Sequence, residues 1–394
     1  MLNRWGLTNR VAVLSRQIDG LQGRLHEPMS VAPAQGSRLQ DTKDRLASLC
    51  ARLKNMVDTL AAELSDQSPA ENQWEQWADL SWQFRGLAAD CLALEQSVTV
   101  RRDPGAALLC TAADKLAEGF SGAVGKPRSH YVLISEAEHF GVDASAIHLA
   151  YGRLEIWNLN RVAHEFGHLW GQECANGPGG SQKSFVEYLT KASRVENAIN
   201  GKVTAPSPSP AWNEAQAKEF FADVLATFLM GPAYALACLT LDLSPADDRQ
   251  SDSHPSGHER ACCILMALLR LAPNYCSYYQ DDMEKLHQEL ADFWSATRVA
   301  AGKPVTLNHQ AELEYAVGIA VSHLLQEIPA AQHKCLEAAY TVRNELARNH
   351  ERLPGGAQGL DVLNGAWIRR WEGGPAAPSP IGRAAFAMLE DWCK

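Results

Sequence analysis

The sequence has no Cys-x-x-Cys pair, no dense block of lysine and arginine, and no uninterrupted apolar run of membrane-spanning length. Each absence removes a class of protein. Without paired thiolates a cysteine-built zinc knuckle has no support, and the ten cysteines, several of them inside apolar helical patterns, read as reduced and mostly buried. The formal net charge is −10, and Arg101-Arg102 and Arg369-Arg370 are the only adjacent basic pairs. The electrostatic footprint of a nucleic-acid binder is therefore missing, and no nucleic-acid partner is expected. The longest apolar stretch, Val224 to Leu243, is broken by Gly231-Pro232 and reads as a buried core helix, so no membrane span is expected. Arg4 and Arg10 flank only a short apolar run, Val11 to Leu14, too little for a secretory segment, which makes a cytoplasmic location the expectation. No GxSxG, P-loop or dinucleotide glycine fingerprint is present either, which removes serine hydrolases, nucleotide-phosphate binders and dehydrogenases.

What is present suits a folded protein. Hydrophobic residues make up 46% of the 394 and charged residues 21%, and that length exceeds what one core ordinarily holds, about 250 to 300 residues. Leu46, Leu49, Leu53, Met56, Leu60 and Leu64 recur every three or four residues, as do Trp77, Leu80, Phe84, Leu87, Cys91 and Leu94. Between these stripes Ser68-Pro69-Ala70-Glu71 offers an N-cap, a proline at the first helical position and a capping-box glutamate. An antiparallel helical hairpin follows, either packed into a bundle or projecting as an arm that recruits a regulatory partner. Asp103-Pro104-Gly105 breaks the pattern, and His130 to Ile134 and Ile147 to Trp157 carry the β-branched and alternating residues of strands. Asn176 to Gly180 and Ala205 to Pro210 read as loops. From Ala215 the chain is again largely helical, with stripes such as Met283, Leu286, Leu290 and Phe293, and Leu313, Val317, Ala320 and Leu324. The expected class is α+β, predominantly helical, with a small sheet. The expected divisions are a helical domain at 1–102, a core at 103–275 that carries the chemistry, and a C-terminal helical region at 276–394 packing on that core.

The chemistry starts at His164-Glu165-Phe166-Gly167-His168, a His-Glu-x-x-His pattern with apolar neighbours. Residues four apart share a helix face, so both imidazoles can reach one Zn²⁺ at about 2.0–2.1 Å, and the glutamate between them stands beside a bound water. Zinc draws the pKa of such a water towards about 7, and Glu165 is the base placed to take its proton. Arg161 departs from the uncharged residue usual three positions before the first histidine. A third ligand is needed. Glu219 is the best candidate, because Phe220, Phe221, Val224, Leu225 and Phe228 surround it and Asp223 with apolar packing in which unpaired acids would be costly. Asp223 can accept the ring N–H of a ligand histidine, His164 being the nearest in pattern. The bland alternative is an amphipathic helix whose two acids face water.

With HEFGH, EFFAD and then His254-Pro255-Ser256-Gly257-His258-Glu259-Arg260, the chain resembles the HExxH, ExxAD and HPxxxxR series of the HtpX-like and CAAX-prenyl-protease-like gluzincins, over Val162 to about Arg270. The resemblance implies a zincin-like catalytic core with a small sheet, a zinc metalloendopeptidase acting on a protein or peptide substrate, ligands His164, His168 and Glu219, and Glu165 as general base. His254 would then donate to a tetrahedral oxyanion, and Arg260 would pair with Asp223 or a nearby carbonyl. The alternative for both is an exposed helix-cap region. Those relatives are largely integral membrane proteins and this chain is closer to their soluble counterparts, so a prenylated or membrane-embedded substrate is not carried over. Zincins in general pair an extended substrate with an edge strand, a role that would fall to Ile147 to Trp157. The competing function is a helical regulatory or interaction protein that retains an inactive or occluded gluzincin core.

Overall fold

The computed structural model describes residues 2–26, 33–66, 71–125, 131–135, 139–141, 146–150, 155–175, 185–187, 189–190, 212–274, 277–328, 336–373 and 378–394. The loops expected at 176–180 and 205–210, and the cap expected at 68–70, lie outside these residues. The chain is predominantly helical with a small sheet, and it divides into two compact units, 1–110 with 130–153, and 111–129 with 154–394.

The first unit is built on α1 (Leu2–His26), α2 (Pro33–Asp66) and α3 (Glu71–Val100). On α1 the buried residues are Leu7, Val11, Leu14, Ile18, Leu21 and Leu25, and on α2 they include Leu46, Cys50, Leu53, Val57, Leu60 and Leu64. This alternation of four and three is the seam of a coiled coil. Of the expected α2 stripe Leu46, Leu53, Leu60 and Leu64 are buried and Leu49 packs against the core; Cys50 and Val57 join them, while Met56 is 46% exposed. Leu80, Leu87, Cys91 and Leu94 of α3 join the same core, so the two expected helices are covered by a third, α1. Three short strands complete the unit: β1 (Tyr131–Ser135), β2 (His139–Gly141) and β3 (Ala146–Ala150). Their order is β1-β3-β2, with β1 parallel and β2 antiparallel to β3. Of the strand read at 147–157, residues 147–150 lie in β3, 151–154 lie outside the described residues, and Ile156–Asn158 forms a 3₁₀ turn instead. Because β3 is paired on both sides over Ala146–His148, no edge is open there for an added substrate strand. Arg101 clamps the sheet to the helices, both terminal nitrogens of its guanidinium donating to Val132 O at 3.2 Å.

The second unit takes in residues 111–123 of α4 (Pro104–Ala123) and centres on α6 (Glu214–Met230), which is buried almost all round, as a helix apolar on every face must be. Asn213 caps it, accepting from Gln216 N–H while Gln216 returns the bond. Against α6 pack α5 (Arg161–Ala175), α8 (Gly257–Leu271) and α10 (Gln310–Glu327). The short α7 (Pro232–Ala237) follows α6, and α9 (Ser277–Ala300) follows α8. The chain ends in α11 (Leu336–Ala347), α12 (Gly359–Gly373) and α13 (Pro378–Cys393), with α12 lying against α7. Among the described residues no helix is long and apolar enough to cross a membrane.

Candidate metal centre

The crossing of α5 and α6 makes the site. At Gly167 a Cβ would stand 2.8 Å from Ala222 Cα, so the two backbones touch at a point where only glycine fits. That close approach brings residues one turn or less to either side into reach of each other. His164 and His168 project from α5 and Glu219 from α6, and one ligand atom from each lies within 4.8 Å of the others. His164 Nε2 and His168 Nε2 are 3.2 Å apart, and Glu219 offers Oε2 at 3.4 Å from the first and Oε1 at 3.2 Å from the second.

These distances test whether a metal ion suits the residues present. A tetrahedral ion with bonds of about 2.0–2.1 Å separates its ligand atoms by roughly 3.3 Å. Each histidine nitrogen stands near that spacing from the other and from one oxygen of the Glu219 carboxylate, a different oxygen for each ring. The two imidazole Nε2 atoms face each other, and Glu219 Oε2, though buried, has no hydrogen-bond partner. A buried carboxylate oxygen with no donor is the arrangement a cation would satisfy.

Behind the ligands lies a closed polar network. Asp223 is fully buried, and Arg260 grips it with two bonds of 2.8 Å, Nε to Oδ2 and Nη2 to Oδ1. His164 Nδ1 faces Asp223 Oδ1 at 3.0 Å. The Tyr234 hydroxyl donates to the same Oδ1 at 2.6 Å and lies 3.0 Å from His164 Nδ1. Burial favours neutral Asp223, but the Arg260 guanidinium and then His164 outweigh it and hold the carboxyl well below its usual range. Burial likewise opposes charge on His164, yet Asp223 and Glu219 overcome it and push the ring up to about 9. Glu219 is buried too, and the two histidines hold its carboxyl far down.

The remaining site residues are placed as follows. Glu165 sits on α5 between the two histidines and is 6% exposed. His254 lies in the loop before α8, its Nε2 3.6 Å from Glu219 Oε1 and its Nδ1 2.8 Å from Ser253 Oγ. That loop is held from several sides: Gln216 Nε2 donates to Ser251 O and Asn213 Nδ2 to Asp252 O, each at 2.8 Å. Buried Glu259 fixes its far end, accepting from Trp212 Nε1, Gln250 Nε2 and Ser256 N at 2.8 Å. Arg161, the charged residue in an apolar pattern, pairs with Asp242 at 2.9 Å and so has a buried partner of its own. Tyr234 was not anticipated. Its signal was a tyrosine in the apolar run 224–243, whose hydroxyl must find a partner when the ring is buried.

Comparison with protein-family models, with curated proteins and with solved structures returned no match.

Proposed function

We propose that this chain is a zinc-dependent peptidase with a gluzincin-type core, cutting peptide bonds of a protein substrate. The observation that carries the reading is the convergence of His164 Nε2, His168 Nε2 and the Glu219 carboxylate from two crossing helices, with one ligand atom from each within 4.8 Å of the others, close enough to share one ion. Support also comes from the order of HEFGH, EFFAD and HPSGHER, which resembles the gluzincin series. Zn²⁺, held by His164, His168 and Glu219, would supply Lewis acidity to a water and to the substrate carbonyl.

The chain's own residues do the rest. Glu165, beside the ligands, takes a proton from the attacking water as the new C–O bond forms. It then gives that proton to the leaving nitrogen as the C–N bond breaks, so no net proton is lost. In the tautomer that accepts the Ser253 hydroxyl on Nδ1, His254 carries its proton on Nε2 and would donate a hydrogen bond from it to the tetrahedral oxyanion. Asp223, balanced by Arg260, keeps the Nδ1–H form of His164 and leaves Nε2 free to bind.

The test is metal analysis of the purified protein together with mass spectrometry of a proteome digest. Glu165→Gln is expected to keep stoichiometric zinc and lose cleavage by at least about a hundredfold, since the ligands stay and the base goes. Undiminished cleavage by that variant, or a wild-type protein that takes up no divalent ion, would overturn the reading. Burial favours one competing reading, an occluded core in an interaction protein, because His164 and Glu165 are only 4% and 6% exposed. Zinc uptake with no substrate cleaved anywhere in the digest is its expected outcome.

A further inference from the structure

The structure points to a device that aims one ligand from outside the motifs. Resting on His164, His168 and Glu219 as metal ligands, we propose that Tyr234 is a positioning residue for the His164 ring, and that Asn364 on α12 holds Tyr234 in place.

The backbone around the tyrosine needs outside help. α6 ends at Met230, and Gly231 takes φ +66° and ψ −139°, a conformation open to glycine, before Pro232 starts α7. A helix that begins after glycine has no side chain to cap its first N–H groups. The cap arrives from far along the chain: Asn364 Oδ1 accepts from Ala233 N–H at 2.8 Å. Its other amide atom is committed as well, Nδ2 donating to Leu360 O at 3.1 Å. With Asn364 buried and both its amide atoms engaged, the first turn of α7 is fixed one residue before Tyr234.

Tyr234 passes that constraint to the histidine. It is 1% exposed, and its ring lies parallel to that of His164, 8° between planes with centroids 6.4 Å apart. The hydroxyl donates to Asp223 Oδ1 at 2.6 Å, so its own oxygen is left to face His164 Nδ1 at 3.0 Å. His164 Nδ1 thereby faces two oxygens at 3.0 Å, Tyr234 Oη and Asp223 Oδ1, rather than one. Two acceptors fix the ring's rotation as well as its tautomer, and rotation is what aims Nε2. A phenylalanine would fill the same space and leave Asp223 alone to do this.

The experiment is titration of the metal-free full-length protein with Co²⁺ against a competing chelator, reading both affinity and the visible absorption bands. Tyr234→Phe and Asn364→Ala are each expected to weaken Co²⁺ binding roughly tenfold or more and to shift the bands, since outer hydrogen-bond partners of ligand histidines carry effects of that size. Asn344→Ala, an exposed change on α11, is expected to match wild type in both. Near-ultraviolet circular dichroism checks that each variant is folded, and Tyr234→Phe keeps the ring packing. If wild type binds Co²⁺ and Tyr234→Phe gives the same affinity and spectrum, the positioning role is overturned while the metal centre stands. If Asn364→Ala alone matches wild type, the capping link is overturned. A wild-type protein that binds no Co²⁺ overturns the metal centre, and this inference with it.

Discussion

One methyl group tests how the ligand-bearing helices are held together. In Gly167→Ala the new Cβ would lie 2.8 Å from Ala222 Cα and 3.1 Å from Ala222 O, which are backbone atoms that cannot swing aside. Alanine favours a helix over glycine by about 1 kcal/mol, but overpacking at a rigid contact costs about 1–3 kcal/mol, and with backbone on the far side the cost wins. Urea unfolding should show a net loss of about 1–2 kcal/mol, and zinc affinity should fall with it, because His164 and His168 stand on one helix and Glu219 on the other. A variant as stable as wild type would mean that the helices can part without cost. At this scale the sequence was readable where spacing or burial cost forces a residue's role. The four-residue step fixes His164 and His168, and two acids among Phe220, Phe221 and Val224 demand partners. Gly167 and Tyr234 escaped because their roles depend on what lies across a contact, at Ala222 and Asp223, which no local pattern records.

Among the elements, the start of α8 joins packing to pH. His258 is buried there, and its Nδ1 accepts a hydrogen bond from Trp294 Nε1 of α9 at 3.2 Å. Burial first, and the charge of Arg298 second, lower its pKa below the ordinary value of about 6.5. Between the folded pKa and about 6.5 the unfolded chain therefore binds more protons, so stability rises with pH. The contribution is fully present above about pH 6.5 and is lost as pH falls through that window, when the ring must charge and give up its bond to Trp294. His258→Gln should flatten the pH dependence of unfolding between pH 7.5 and 5 by on the order of 1 kcal/mol, measured by denaturant titration; an unchanged slope would remove His258 as its source. Stripes on α2, α3, α9 and α10 were legible from period alone, and Met283, Leu286, Leu290, Leu313 and Val317 are all buried. The errors were of phase and company. Met56 fits a helical stripe as well as Val57 does, and the choice between them is made by α1, whose own seam of Leu7, Val11, Leu14 and Ile18 is diluted by charged neighbours. The strand at 147–157 was overextended at its far end because the apolar pattern runs on to Trp157, whereas Ile156–Asn158 folds as a 3₁₀ turn.

For the whole molecule, the decisive fact is that all the elements carrying the candidate ligands belong to one of the two compact units. α5, α6 and the loop carrying His254 lie in the unit formed by 111–129 and 154–394, while the heptad core of α1, α2 and α3 belongs to the other. An ion that binds only the folded second unit stabilises it by RT ln(1 + [L]/Kd), about 2.7 kcal/mol at a hundredfold excess over Kd. For a unit of that size each kcal/mol moves the midpoint by about 2–4 °C. The first unit has its own apolar seam and none of these ligands, so it has no reason to follow. Differential scanning calorimetry of the chelated protein should therefore resolve into two transitions, of which zinc raises one by roughly 5–10 °C and leaves the other in place. Glu219→Ala should abolish the shift, because it removes the carboxylate and leaves the two histidines alone on α5. A single transition displaced as a whole by zinc would show that the units unfold cooperatively. A zinc shift that survives Glu219→Ala would place the ion away from the α5–α6 crossing.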